Sequence, residues 1–503
     1  IYVNSLKLFS ALLMKILFVS SEVFPFAKTG GLADVAGTLP VNVKHGDNDI
    51  RVITPFYKNT NTDCVSKYPL LEHLEIKIGC STYFCQVWEG SLKASVPVYL
   101  IKCDDFFKRD YLYGSPAEDY PDNAERFIFF SKAALELCTK LDFSPDIIHC
   151  NDWQTGLIPA FIQGMYRENV FFKNTATVFT IHNIAYQGNF DSKKFSLTGL
   201  PPNFFTMQGL EYWGKMSFLK SGLIYTDLLT TVSKTYSLEI QTPEFGYGME
   251  GILADRKDDL YAVLNGADYD EWNPQHDTCI ASHYSSKSLW RKKECKLDLL
   301  KEYNLPHDMI DKPLIGAISR LTDQKGFDLI AEIMEKLMDL DLGFVLLGTG
   351  DIKYQEFFIQ LGRKHTKTAG IRIAYDNALA HKIEAGCDML LMPSRYEPCG
   401  LTQLYSLKYG TVPIVRATGG LADTIHDYDN GTPGVANGFS FYEYSADMLL
   451  KTIDRALALY ANKKLWKSLM TNCMLFDFSW NTSALEYLKL YTIAFAMRSK
   501  KSL

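Results

Sequence analysis

A chain of 503 residues has room for two or three domains of roughly 150 residues each. With 47% apolar and 22% charged residues, it is neither disordered nor collagen-like. A formal charge of −6, from 52 basic and 58 acidic side chains, argues against nucleic acid or an anionic membrane as partner, so any anionic ligand must be caught locally.

The apolar stretch over 8–14, flanked by Lys7 and Lys15, has the look of a short signal-peptide core. It runs straight into a strand over 16–20 without a small-residue cleavage site, so the fold is expected to begin at Met14, with 1–13 a dispensable extension. Further strands are expected over 51–54, 98–102, 147–150, 178–181 and 228–232. Helical patterns lie between them, such as 124–141, where Phe127, Phe130, Ala134 and Leu137 recur at spacings of three and four. The run 79–90 alternates instead and reads as an antiparallel insertion at a sheet edge. From 266 to 311 the pattern is polar and irregular, with Lys and Arg clustered over 287–296, as in a connecting region.

Alternation restarts with strands over 314–319, 344–347, 371–374, 389–392 and 412–415 and helices over 329–338, 355–363 and 400–409. A last helix is expected over 479–499. The expected fold class is α/β, with two doubly wound parallel-sheet domains over 14–266 and 267–478 and a terminal helical segment, 479–503. The eleven cysteines lack paired metal-type spacing and read as reduced thiols in a cytoplasmic protein.

One hexapeptide occurs twice, as Thr29-Gly30-Gly31-Leu32-Ala33-Asp34 and as Thr418-Gly419-Gly420-Leu421-Ala422-Asp423. A Gly pair after a strand lets phosphate approach the backbone, and the following helix offers free N–H groups. Two ordinary strand-to-helix turns would look the same. In open parallel sheets ligands bind beyond the carboxyl ends of the strands, where this chain concentrates its polar residues.

Arg320 and Lys325 flank a loop where they could neutralise a diphosphate, or be solvated surface charges. Glu397 could face a polar substrate or cap the next helix. His182 could bind a substrate hydroxyl or offer its carbonyl to a reacting centre, although a lone His is more often a satisfied loop residue. Asp152 is either a site carboxylate or a helix cap. Cys399 reads as a packed thiol. There is no Walker-type phosphate loop, and Gly348-x-Gly350 lacks the third Gly of a dinucleotide fingerprint. No His or Cys pair has metal spacing, so no metal and no cofactor is expected.

Five segments, taken together, resemble the bacterial glycogen synthases and plant starch synthases. They are Lys28 to Asp34, His182-Asn183-Ile184-Ala185-Tyr186-Gln187-Gly188, Tyr247-Gly248-Met249-Glu250-Gly251, Ser319 to Gly326, and Arg395-Tyr396-Glu397-Pro398-Cys399-Gly400-Leu401-Thr402-Gln403. The resemblance runs from about Met14 to the C-terminus and implies the GT-B fold, two Rossmann-like lobes with the active site between them. It implies retaining transfer of glucose from ADP-glucose to the 4-hydroxyl of an α-1,4-glucan, with domain closure assembling the site and the C-terminal helix crossing back to the first lobe.

Residue by residue, it implies that Lys28, Gly30 and Gly31 meet the donor diphosphate from the first lobe and Arg320 and Lys325 from the second. Glu397 would hold glucose hydroxyls with the backbone of Cys399, Gly400, Leu401 and Thr402, while Gly419 and Gly420 contribute backbone. His182 would bind the 6-hydroxyl, Asp152 and Asn265 would flank sugar and acceptor, and Tyr375 would stack on the base. Glu22, Asp34, Tyr113 and Asn183 would lie on the acceptor side. Front-face attack, with the leaving phosphate accepting the proton, needs no protein nucleophile; Glu397 as a covalent nucleophile is the alternative route. A pyridoxal-phosphate phosphorylase on the same fold and a silent glucan-binding protein are the competing readings.

Overall fold

The computed structural model describes residues 13–44, 48–115, 118–429 and 435–501. The chain divides into two compact units, one over 1–232, 237–263 and 480–503, the other over 233–236 and 264–479. The expected extension, 1–13, falls almost wholly outside the described residues.

The first unit is built on a nine-stranded sheet. Its order from edge to edge is Leu260–Ala262, Leu228–Thr231, Ala176–Ile181, Ile147–Asn151, Lys15–Val19, Asp49–Pro55, Val96–Lys102, Ser81–Leu92 and Leu71–Ile78. The first seven are parallel. Ile16 to Val19 and all of Ala176–Ile181 are buried, as strands covered on both faces must be. The last two run antiparallel at the edge, and Leu74, Ile76 and Ile78 alternate with exposed neighbours because only one face is covered. Helix Asn123–Lys140 buries Phe127, Phe129 and Phe130. The final helix, Trp480–Lys501, belongs to this unit and sends Tyr487, Tyr491 and Ala494 into its core. Tyr491 bonds His149 Nδ1 at 2.7 Å.

The second unit carries six parallel strands in the order Ala369–Ile373, Gly343–Gly348, Leu314–Ile318, Met389–Met392, Val412–Arg416 and Phe439–Phe441. Helices Phe327–Met338 and Ala446–Ala461 present Ile330, Ile333, Leu337, Leu449, Ile453 and Ala456 to its core. The supposed polar connector is part of this fold: Lys292–Glu302 is a helix whose Lys292 and Lys296 are buried. Lys292 Nζ donates to the carbonyls of Glu384 and Ala385 and to Thr411 Oγ1, and Lys296 pairs with Asp388 at 2.7 Å. These ammonium groups are bonded in the interior, Lys296 to a carboxylate and Lys292 to neutral oxygens, and are not solvated, which charge density along a chain does not reveal. Residues 233–236 count with this unit, where Thr235 donates through N–H and Oγ1 to Asp423.

In each sheet the direction of winding reverses once. The reversal falls between Lys15–Val19 and Ile147–Asn151 in the first unit, and between Leu314–Ile318 and Met389–Met392 in the second. Chain ends diverge there and leave an opening beyond the strands' carboxyl ends, the usual place for a ligand.

Candidate functional site

At the first reversal point, Glu22 follows strand Lys15–Val19 and is 3% exposed. Its carboxylate accepts from Thr29 N–H at 2.5 Å, Thr29 Oγ1 at 2.6 Å, Gly30 N–H at 3.2 Å and Tyr113 Oη at 2.7 Å. The glycine loop is thus held by an internal carboxylate. Gly30 N–H, expected to face a phosphate, is donated to Glu22, and Lys28 pairs with Asp34 at 2.7 Å. A Cβ on Gly30 would meet no atom within 4 Å, so the space before this loop is open. Gly31 opens the helix Gly31–Val43, whose first-turn acid is Asp34.

Across the same reversal point, Asp152 follows Ile147–Asn151 at φ +55°, ψ −178°, a backbone region that non-glycine residues avoid at about 1–3 kcal/mol. It caps no helix. Its Oδ1 accepts from the N–H groups of His182 and Asn183, at 2.7 and 3.4 Å, and its own N–H reaches Thr180 O. Burial raises its carboxyl to about 7. Burial also lowers His182 to about 3, so the ring is neutral.

Asn151 Nδ2 donates to Val19 O, which makes its Oδ1 an acceptor for His182 Nε2–H at 2.9 Å. The remaining His182 nitrogen, Nδ1, is therefore an acceptor suited to a hydroxyl donor. Asn183 Oδ1 takes Ala185 N–H, shaping the turn. Glu22, Tyr113, Asp152, His182 and Asn183, spread over more than 160 positions, are brought to one place by the reversal of sheet winding.

At the second reversal point, the turn after Leu314–Ile318 carries Arg320 and Lys325, and the loop after Met389–Met392 carries Ser394 and Glu397. Lys325 Nζ lies 2.6 Å from Glu397 Oε2, and Ser394 Oγ donates to the same oxygen at 3.1 Å. Glu397 is buried, while exposed Arg320 reaches Gln324 Oε1 at 3.5 Å. Gly326, at φ +75°, packs against Pro393 O so closely that any Cβ would collide, which locks the two loops together.

The second hexapeptide has the same function of close packing. A Cβ on Gly419 or Gly420 would enter the carbonyls of Glu397 and Cys399, and Gly420 N–H donates to Glu397 O and Pro398 O at 3.1 and 3.2 Å. Gly420 N–H is therefore spent on holding the Glu397 loop and does not face a phosphate. The loop turns at Gly400, φ +73°, and leads through Leu401 into helix Thr402–Tyr409, two residues later than expected. Burial raises the Cys399 thiol to about 12, and the Asn265 N–H points at its sulfur. Asn265 Oδ1 and Gln403 Oε1 are buried without partners beside this loop, and Thr322 Oγ1 is likewise unpartnered on the turn that carries Lys325. Tyr375, 76% exposed, follows Ala369–Ile373.

Sequence reasoning missed Ser394 on Glu397, Ser21 Oγ on Tyr113 at 2.7 Å, and Arg416, which donates to Arg395 O at 2.6 Å. The last two join residues 92 and 21 positions apart, and no local pattern signals them. One group among the described residues, Asp277, Cys279 and His381, has metal-ligand chemistry within 4.8 Å. His381 Nδ1 is already on Asp277 at 2.8 Å, the Tyr409 hydroxyl takes the same carboxylate, and Trp272 stacks on the ring at 3.7 Å.

Residues 15–255 match the family model described as starch synthase catalytic domain, and 307–468 that of glycosyl transferases group 1. The chain is 48% identical over 479 residues to a glycogen synthase of Syntrophotalea carbinolica, covering 95% of this chain and 98% of that one. It is 46% identical over 486 residues to a glycogen synthase of Koribacter versatilis, covering 97% and 99%. Among solved structures it is similar to the catalytic domain of starch synthase IV from Arabidopsis thaliana bound to ADP and acarbose, with a TM-score of 0.90 at 32% identity over 96% of this chain and 99% of that one. A sucrose-phosphate synthase from Thermosynechococcus elongatus, at 17% identity and a TM-score of 0.58 over 96% and 99% of the two chains, shares the fold.

Proposed function

Because the chain belongs to the glycogen synthase family, glycosyltransferases of the GT-B fold, we propose that it transfers glucose from ADP-glucose, with retention, to the non-reducing-end 4-hydroxyl of an α-1,4-glucan. ADP is released. The observation that carries this reading is the Lys325–Glu397 pair at the second unit's reversal point, with Arg320 on the same turn.

An ammonium has three N–H donors, so Lys325 can keep Glu397 and still donate to a diphosphate. Arg320 adds a planar fork, and N–H groups near Gly400 and Leu401 aim at the same sugar. Glu397, held by Lys325 and Ser394, accepts from glucose hydroxyls, and Asn265 Oδ1 supplies a further acceptor. The C1–O bond to the diphosphate breaks while the acceptor oxygen bonds C1 on the same face. The acceptor proton passes to the departing phosphate oxygen, so the protein's task is to stabilise developing charge. Neutral His182 accepts from the glucose 6-hydroxyl through Nδ1. In this scheme the cations and backbone N–H groups meet the leaving charge and no metal is assigned a step. All eleven cysteines are free thiols, which suits a reducing cytoplasm.

The test is glucose incorporation into glycogen from labelled ADP-glucose in competition with UDP-glucose. Preferential use of ADP-glucose is expected. Preference for UDP-glucose would overturn the donor assignment, and no incorporation from either would overturn the activity.

A further inference from the structure

Residues 211–217 form a hairpin whose two-residue tip is Trp213-Gly214, at φ +51° and +75°. Such a tip favours Asn-Gly or Gly-Gly, because both positions lie in the left-handed region. Placing Trp there costs stability, and the ring is 86% exposed, so burial returns nothing. A second aromatic residue repeats the anomaly: Tyr247 has φ +51° and is 44% exposed. No other aromatic residue among the described residues has a positive φ.

The two are tied together. Tyr212 Oη donates to Tyr247 O at 3.1 Å, and its ring meets the Trp213 ring edge-on with centroids 6.4 Å apart. Gln187 Nε2 donates to the same carbonyl at 2.9 Å, and Asn189 Nδ2 donates to Gln187 Oε1 at 2.9 Å. Strained backbone persists only where its surroundings enforce it, and here the enforced result is two exposed aromatic side chains, with the Gln187 amide and the Tyr212 phenol fixed at the Tyr247 carbonyl between them. The patch is continuous with the candidate site of its own unit: Gln187 and Gly188 end the loop that begins at His182, and Gly188, φ +58°, packs on the Trp153 ring beside Asp152.

We propose that Trp213 and Tyr247 form a platform for the acceptor glucan, binding sugar units beyond those at the reacting end. The chemistry fits an α-glucan: pyranose C–H faces lie on aromatic rings, and hydroxyls reach Gln187, Asn189 and Tyr212. A polymeric acceptor also explains why the platform stands outside the site. The assignment rests on the glycogen synthase reading.

Trp213→Asn removes the ring with a residue the turn prefers, so its unfolding midpoint should equal or exceed that of the parent chain. Its KM for glycogen should rise roughly tenfold, the scale of losing one aromatic anchor, with a smaller change for maltotriose. Tyr247→Asn should act in the same direction. Native electrophoresis through glycogen-containing gels, without donor, should show weaker retardation of Trp213→Asn. A glycogen KM within twofold of the parent, or unchanged retardation, overturns the platform. So does a raised KM for ADP-glucose alone, which would assign the patch to the nucleotide, or a concentration-dependent self-association abolished by Trp213→Asn, which would assign it to a second copy. A parent chain retarded by glycogen yet unable to transfer glucose would overturn the activity and leave the platform standing.

Discussion

Lys325→Ala separates the catalytic role of this side chain from its structural one. Charges 2.6 Å apart attract by roughly 6 kcal/mol at an effective dielectric of about 20. Desolvating them opposes most of this, and the partial exposure of Lys325 screens it further. Removing the lysine leaves buried Glu397 with Ser394 as its remaining side-chain partner, so the expected loss is about 2–3 kcal/mol. For a protein of this size that lowers the unfolding midpoint by roughly 2–3 °C. Loss of the cation at the leaving diphosphate should cut glucose transfer at least 10²- to 10³-fold, about 3–4 kcal/mol of transition-state stabilisation.

The double variant Lys325→Met with Glu397→Gln removes both charges and should recover most of the lost midpoint without recovering transfer. Calorimetry and an ADP-release assay on the parent, Lys325→Met, Glu397→Gln and the double variant complete the cycle. Lys325→Ala with parent-level turnover, or a double variant that regains activity together with stability, would refute the assignment of Lys325 to the diphosphate.

The two copies of the repeated hexapeptide should respond differently to alanine. Gly419→Ala, at the position equivalent to Gly30, drives a Cβ into Glu397 O and should displace the Glu397 loop, lowering both midpoint and turnover, whereas Gly30→Ala points into open space and should leave the midpoint within about 2 °C; equal midpoints for the two variants would contradict this. Glu384, buried with its carboxyl raised to about 8, stays protonated in the folded chain over a range where the unfolded chain, with a value near 4.5, is ionised. Stability is therefore lost between pH 4.5 and 8, and Glu384→Gln should match the parent near pH 4.5 and surpass it progressively by pH 8, at up to roughly 1.4 kcal/mol per pH unit; urea midpoints at the two pH values decide it. Iodoacetamide on the folded protein should label exposed Cys64 and Cys80 and spare Cys399, whose thiol is buried and raised to about 12; peptide mass mapping reads the outcome, and early labelling of Cys399 would be inconsistent with the packed loop.

Sequence alone determined the alternating architecture, because a strand covered on both faces must be a continuous apolar run and an amphipathic helix must repeat at three and four. It also marked the residues at the strand ends, since polar clusters after apolar runs have few other uses in a parallel sheet. What it did not determine is how those residues pair. Glu22 on Thr29 and Gly30, Lys325 on Glu397, and Lys292 inside the second unit join positions 7 to 119 apart. Such contacts depend on which strands become neighbours and where the winding reverses, which local periodicity does not encode. The repeated Gly-Gly shows the division: one hexapeptide sequence, yet Gly30 faces open space and its equivalent Gly419 presses on another loop's backbone. Glycine permits close approach in both copies, and only the tertiary structure decides what approaches.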